Sequence, residues 1–98
     1  MKSYNVREKD VETYLISQSK RRLGASCDKF NSGTRAKPDR ILLWLPKNIC
    51  FVECKAPGKT WTKPQGRERD RLRAKGHQCE LVDSKEAVDK LLDNLELL

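Results

Sequence analysis

Apolar residues recur along the chain in two rhythms, one helical and one alternating. Val11, Tyr14 and Leu15 fall at i, i+3 and i+4 and Gly24 stands where a helix would stop, so the spacing predicts a helix over residues 8–23. Residues 25–30 read as a short strand and residues 31–38 (NSGTRAKP) as a turn-rich loop. The dense run at 41–45 (ILLWL) breaks at Pro46, Lys47 and Asn48 and resumes over 49–55, the pattern of a hairpin. Residues 56–64 form a loop carrying Pro57, Gly58 and Pro64. Residues 65–75, closed by Gly76, suit a helix whose one large apolar residue is Leu72, so it packs thinly. Cys79, Leu81 and Val82 make a strand over 78–83, and Ser84 caps a last helix with a stripe of Val88, Leu91, Leu92 and Leu95. The order α-β-β-β-α-β-α predicts a three-layer α-β-α fold around a small mixed sheet.

Composition narrows this. The 98 residues suit a single domain spanning 1–98. With 37% hydrophobic and 36% charged residues the core is lean, and a partner surface or ligand is expected to complete it. No window reaches the roughly 18 apolar residues of a membrane span. The N-terminal segment has no apolar run of the secretory kind, so a cytoplasmic location without membrane contact is expected. Lys and Arg number 21 against 14 acids, a net +7 that favours polyanions, nucleic acid above all. Cys27, Cys50, Cys54 and Cys79 form no CxxC pair and His77 is the sole histidine, which does not match a zinc finger. Four reduced, mostly buried thiols are expected.

The chemistry concentrates around Pro38-Asp39 and Glu53-Cys54-Lys55. Strand alternation sends Glu53 and Lys55 to one face and Cys50, Val52 and Cys54 to the other. A hairpin turning about Lys47 sets Asp39 opposite Lys55, so Asp39, Glu53 and Lys55 gather at one end of the hairpin on one face. Two neighbouring carboxylates call for a cation, and oxygen donors without histidine or thiolate suit Mg²⁺ or Mn²⁺. On a basic protein such an ion suits phosphodiester hydrolysis, with Lys55 orienting the water or stabilising charge at phosphorus. A cross-face ion pair at a strand end is the plain structural alternative. Arg35, Lys37, Arg40, Lys59, Lys63 and Arg69 are the candidate phosphate contacts around the cluster.

These segments together resemble the PD-(D/E)xK nucleases and, within them, the VRR-NUC (virus-type replication-repair nuclease) domain. The resemblance covers nearly the whole chain: Glu12-x-x-Leu15 and Gly24, Lys29-Phe30, Pro38-Asp39-Arg40, Phe51 through Gly58, Gln65, Leu72-Arg73 with Gly76, and Val82-Asp83-Ser84. It implies a restriction-endonuclease-like fold and a divalent-metal nuclease with Mg²⁺, replaceable by Mn²⁺. Stand-alone members of this length look like phage or bacterial proteins that act as homodimers on branched DNA, in the manner of Holliday-junction resolvases. By position the resemblance makes Asp39, Glu53 and the backbone carbonyl of Cys54 the metal ligands and Lys55 the catalytic lysine. Glu12 would complete the acidic cluster, directly or through water, and Gln65 would orient the water or Lys55. Two positions depart from the pattern. Ala36 and Lys37 replace a glycine and an apolar residue, and Cys54 stands where valine, leucine or isoleucine is commoner.

Other features keep two readings each. Glu8 lies one helical turn from Glu12 on the same side, and the Glu-x-x-Leu spacing favours Glu12. The charges from Arg67 to Lys75 make either a solvated helix or a phosphate-contacting edge. Trp61 either stacks on an unpaired base or covers the core or a dimer contact. The leucines near the C-terminus, or the hairpin edge, are the expected homodimer surface. Against the nuclease reading stand a DNA-binding module that keeps the fold without catalysis and an accessory that binds another protein.

Overall fold

The computed structural model describes residues 6–30, 37–45 and 47–98. The element order is α1 (Glu8–Leu23), β1 (Ser26–Lys29), β2 (Arg40–Trp44), β3 (Asn48–Cys54), α2 (Lys63–Ala74), β4 (Gln78–Val82) and α3 (Lys85–Leu95). This is the order the patterning predicts. The strands form one mixed sheet in the order β1-β2-β3-β4, antiparallel from β1 to β3 and parallel between β3 and β4. A parallel pair needs a crossover, and α2 supplies it.

Strand alternation divides the sheet into two unequal faces. Leu42 and Trp44 of β2, Cys50, Val52 and Cys54 of β3 and Val82 of β4 join Val11 and Leu15 of α1 and Val88, Leu91, Leu92 and Leu95 of α3 in one buried cluster. The α3 stripe is therefore consumed inside the chain, and only Leu97 and Leu98 beyond it stay in solvent. Polar contacts seal the α1–α3 seam. The Tyr14 hydroxyl donates to Asp89 Oδ1 at 2.8 Å, and the Arg22 guanidinium binds Glu96 at 2.7 Å and Asp93.

The other face is thinner. Leu72 of α2 and Cys79 of β4 are buried, while Phe51 packs its ring between Phe30 and His77, each 5.7 Å away. Toward the hairpin tip, Leu43, Leu45 and Ile49 remain exposed.

Two boundaries differ from the sequence reading. The hairpin closes at Trp44↔Asn48 and runs through Arg40↔Val52. Continued one step, that register sets Asp39 opposite Glu53, two residues from the pairing with Lys55 expected from a turn about Lys47. The connection closes with Lys47 at φ 83°, a left-handed position of the kind that ends three-residue hairpin loops. A shift of two residues preserves the faces, so Asp39 and Glu53 still share one. Helix α2 starts at Lys63, earlier than expected, because Thr62 and Gln65 make a capping box: the Thr62 hydroxyl accepts from the Gln65 amide at 3.3 Å, and Gln65 Oε1 accepts from the Thr62 amide at 3.0 Å.

Candidate active site

The parallel β3–β4 pair and the crossover α2 bring the motif residues to one end of the sheet. Glu53, the penultimate residue of β3, faces α2 and is buried, with 3% of its surface exposed. Gln65 Nε2 donates to Glu53 Oε2 at 3.2 Å, and Lys55 Nζ approaches the same oxygen at 3.6 Å. Gln65 spends its carbonyl on the helix cap and its amide on Glu53, so one side chain fixes both the start of α2 and the orientation of the carboxylate. The other oxygen, Glu53 Oε1, is buried without a partner among the described residues. Burial, then the charge of Asp39, raises the Glu53 carboxyl from 4.5 to about 7.

Asp39 reaches the site from the residue before β2. Its Oδ2 accepts the Cys54 amide N–H at 2.9 Å, stitching β2 to the end of β3. The next amide, Lys55 N–H, donates to Val82 O at 2.9 Å. The chain then leaves the sheet through Pro57 and Gly58, whose φ of 81° suits glycine, and the Gly58 amide donates to Asp83 Oδ2 at 3.2 Å. Asp39, Glu53, Lys55 and Gln65, singled out in the sequence, thus come together, with the Cys54 peptide between them.

The acid from α1 is arranged differently from the expectation. Glu12 Oε2 accepts from Arg40 Nε at 2.8 Å, and Arg40 also donates to Cys27 O at 3.3 Å. Glu12 and Arg40 thus form an ion pair across α1 and β2. Glu8, one turn earlier at the rim, senses the site instead. Partial desolvation, then the charge of Asp39, raises its carboxyl, and Lys55 opposes the rise. Among the described residues no group of three acidic, histidine or cysteine side chains stands close enough to hold one ion.

Lys37 also has an internal partner. Its Nζ lies 2.5 Å from Glu68 Oε2, and Arg71 holds both oxygens of Glu68 at 2.7 and 2.8 Å. Glu68 is buried, and Arg71, against some desolvation and with help from Lys37, holds its carboxyl at about 2. The departure at Lys37 is thereby matched by an acid on α2, and the pair ties the segment leading into Pro38-Asp39 to the helix that carries Gln65. Lys59 and Lys63 are exposed near the site, and Arg69 pairs with Asp70 at 2.9 Å. Arg35 lies outside the described residues. Of the two acids on α1, sequence spacing favours the one that Arg40 occupies.

No family model matches the chain. A search of known proteins gives a clear relative: 44% identity over 82 residues, 83% of this chain and 87% of the relative, with "Putative nuclease p44" of Acyrthosiphon pisum secondary endosymbiont phage 1. The solved structure of a VRR_NUC domain superposes with a TM-score of 0.81 at 30% identity, covering 88% of this chain and 94% of that one. The chain belongs to the VRR-NUC family of PD-(D/E)xK nucleases. The small mixed sheet and the helix order are the VRR-NUC fold that the sequence resemblance implied. No helix among the described residues is long and apolar enough to cross a membrane.

Proposed function

We propose that this VRR-NUC domain is a Mg²⁺-dependent endodeoxyribonuclease that acts as a homodimer on branched DNA, in the cytoplasm of a bacterial or phage-infected cell, with Mn²⁺ able to replace Mg²⁺. One observation carries the reading: Glu53 is a buried carboxylate with one oxygen unpartnered, another carboxylate beside it and a lysine within 3.6 Å. A buried acceptor without a donor is rare, and a bound ion is a recognised reason for one. The donors are hard oxygens, which fits Mg²⁺ or Mn²⁺.

Asp39, Glu53 and the Cys54 carbonyl would hold the ion, with Glu8 reaching it through water more readily than Glu12. When bound, the ion would supply Lewis-acid polarisation of the phosphodiester and a more acidic water. The protein's own groups divide the remaining work. Gln65 holds the Glu53 carboxylate in place, Lys55 orients the attacking water or stabilises the charge growing on the phosphate, and the net charge of +7 draws in the DNA backbone. The exposed Leu43, Leu45 and Ile49 at the hairpin edge support the homodimer, since a lean domain rarely leaves adjacent large apolar side chains in water without a partner.

A second reading, a DNA-binding module that has kept the fold, draws on the engagement of Glu12 by Arg40 and on the lack of three clustered ligand side chains among the described residues. Cleavage of a labelled four-way junction and of matched linear duplex, with Mg²⁺ or EDTA, separates the two. Metal-dependent cutting by the wild type that is lost in Glu53→Ala supports the nuclease, and paired symmetric cuts make it a resolvase. Equal junction binding without cutting by either protein supports the binding module.

A further inference from the structure

Beside the carboxylate cluster lies a feature it does not use. Trp61, in the segment leading into α2, is half-buried, yet it is no part of the apolar cluster under the sheet. Its ring is covered by a guanidinium: Arg69 Cζ stands 5.1 Å from the ring centroid. Arg69 is steadied by its Nε–H bond to Asp70 Oδ1 at 2.9 Å. The pair borders an open groove of ≈ 450 Å³ whose walls include Thr60, Lys63, Gly66 and Arg67. Gly66 sits inside α2, where glycine is a poor helix former, and a β-carbon there would lie 3.6 Å from Arg69 Nη2. A methyl group there would meet Arg69 only in ordinary van der Waals contact. Gln65, between Trp61 and Arg69 in sequence, donates to Glu53, so the helix that walls the groove also contacts the carboxylate cluster.

We infer that Trp61 and Arg69 form a stacking platform for an unpaired nucleobase of the DNA strand that enters the site, with Lys63 and Arg67 on its flanking phosphates. The inference deepens the nuclease reading and rests on it for the identity of the ligand. With the guanidinium over one face of the indole, a base stacks on the other face or on the guanidinium plane, and either accepts any base because every base presents a π-face. Bases within a duplex are already stacked and cannot reach the ring. The platform therefore favours DNA with unpaired nucleotides next to the cut, such as branch points, flaps and gaps, without demanding a sequence.

The test uses the full chain in EDTA with fluorescein-labelled oligothymidylate of about a dozen nucleotides and with matched duplex, read by anisotropy. Trp61→Ala is expected to weaken single-strand binding about 5- to 100-fold, the range for removing one base–aromatic stack, with a much smaller loss on duplex. Trp61→Phe is expected to restore most of the affinity, and quenching of tryptophan emission by the strand is expected to vanish in that variant. Single-strand affinity unchanged in a folded Trp61→Ala, or quenching that persists in Trp61→Phe, overturns the platform. Should Trp61→Ala fail to fold, Arg69→Ala decides: a loss specific to the single strand supports the platform, and no loss overturns it. Wild type that cuts no DNA with Mg²⁺ but binds the strand through Trp61 sinks the nuclease reading and leaves the platform standing. Wild type that cuts, alongside a Trp61→Ala that binds the strand normally, does the reverse.

Discussion

Glu53→Gln is expected to make the metal-free protein more stable. In the native state the Glu53 carboxyl titrates near 7, against 4.5 as its ordinary value, because it is buried beside Asp39. The folded state therefore holds this proton more tightly than the unfolded one, so the group favours folding below about pH 4.5 and opposes it as pH rises through about 7. Each tenfold difference in proton affinity is worth about 1.4 kcal/mol, so at pH 8 the ionised Glu53 costs the fold about 3 kcal/mol, and at pH 5 under about 1. Glutamine has nearly the same shape and offers both an acceptor and a donor to Gln65, at the loss of the Lys55 ion pair. Urea melts in EDTA should place Glu53→Gln about 2–3 kcal/mol above wild type at pH 8, which is about 10 °C or more in Tm for a domain this size, and the gap should close toward pH 5. Mg²⁺ should then raise the wild type and leave the variant where it was, since a ligand stabilises only the state that binds it. A variant no more stable than wild type at pH 8 in EDTA, or a gap independent of pH, would refute the argument.

Three further outcomes follow from the same contacts. Leu92→Ala removes a fully buried side chain from the α3 stripe and should cost about 2–5 kcal/mol in urea unfolding. Asp39→Asn retains an acceptor for the Cys54 amide and should melt near wild type while losing the Mg²⁺-induced shift. Asp39→Ala strands that amide and should cost a further 1–3 kcal/mol or about that. Glu68→Gln should be less stable than wild type at pH 7. Because Arg71 and Lys37 hold the native carboxyl at about 2, the wild-type advantage is complete above its ordinary 4.5 and should fade as pH falls between the two, measured by melts on both proteins across that range.

The elements were legible wherever the signal was local. Val11, Leu15 and Gly24 bound α1 at the residues found, and the alternation of β3 put Glu53 and Cys54 on opposite faces as the pattern required. The hairpin register was not legible, because it turns on Lys47 adopting a left-handed conformation that its residue type does not advertise. The start of α2 was hidden by Pro64, which reads as loop but is well tolerated in a first helical turn behind the Thr62 cap. The clustering of Asp39, Glu53 and Lys55 was visible in residue type and spacing, and Gln65 was marked by the family resemblance. The roles of Glu8, Glu12 and Lys37 depend on which distant partner claims each charge. Arg40 lies 28 residues from Glu12 and Glu68 lies 31 from Lys37, and nothing in a single sequence marks such pairs.

The two faces of the sheet that carries the site hold a means of timing its movements. Cys50, Cys54 and Cys79 are buried and unpaired, and burial pushes their thiols up, Cys50 to about 12 and Cys79 to about 11. Alkylating agents attack the thiolate, so at neutral pH these sulfurs are silent until the sheet parts. The rate at which they are modified then becomes a clock for opening, running fastest where the fold yields most readily. Cys54 belongs to the same strand end as Glu53 and Lys55 but points the other way. An ion or DNA strand that steadies the front of that strand should slow the clock at its back, so occupancy of the site can be followed without cutting a single phosphodiester.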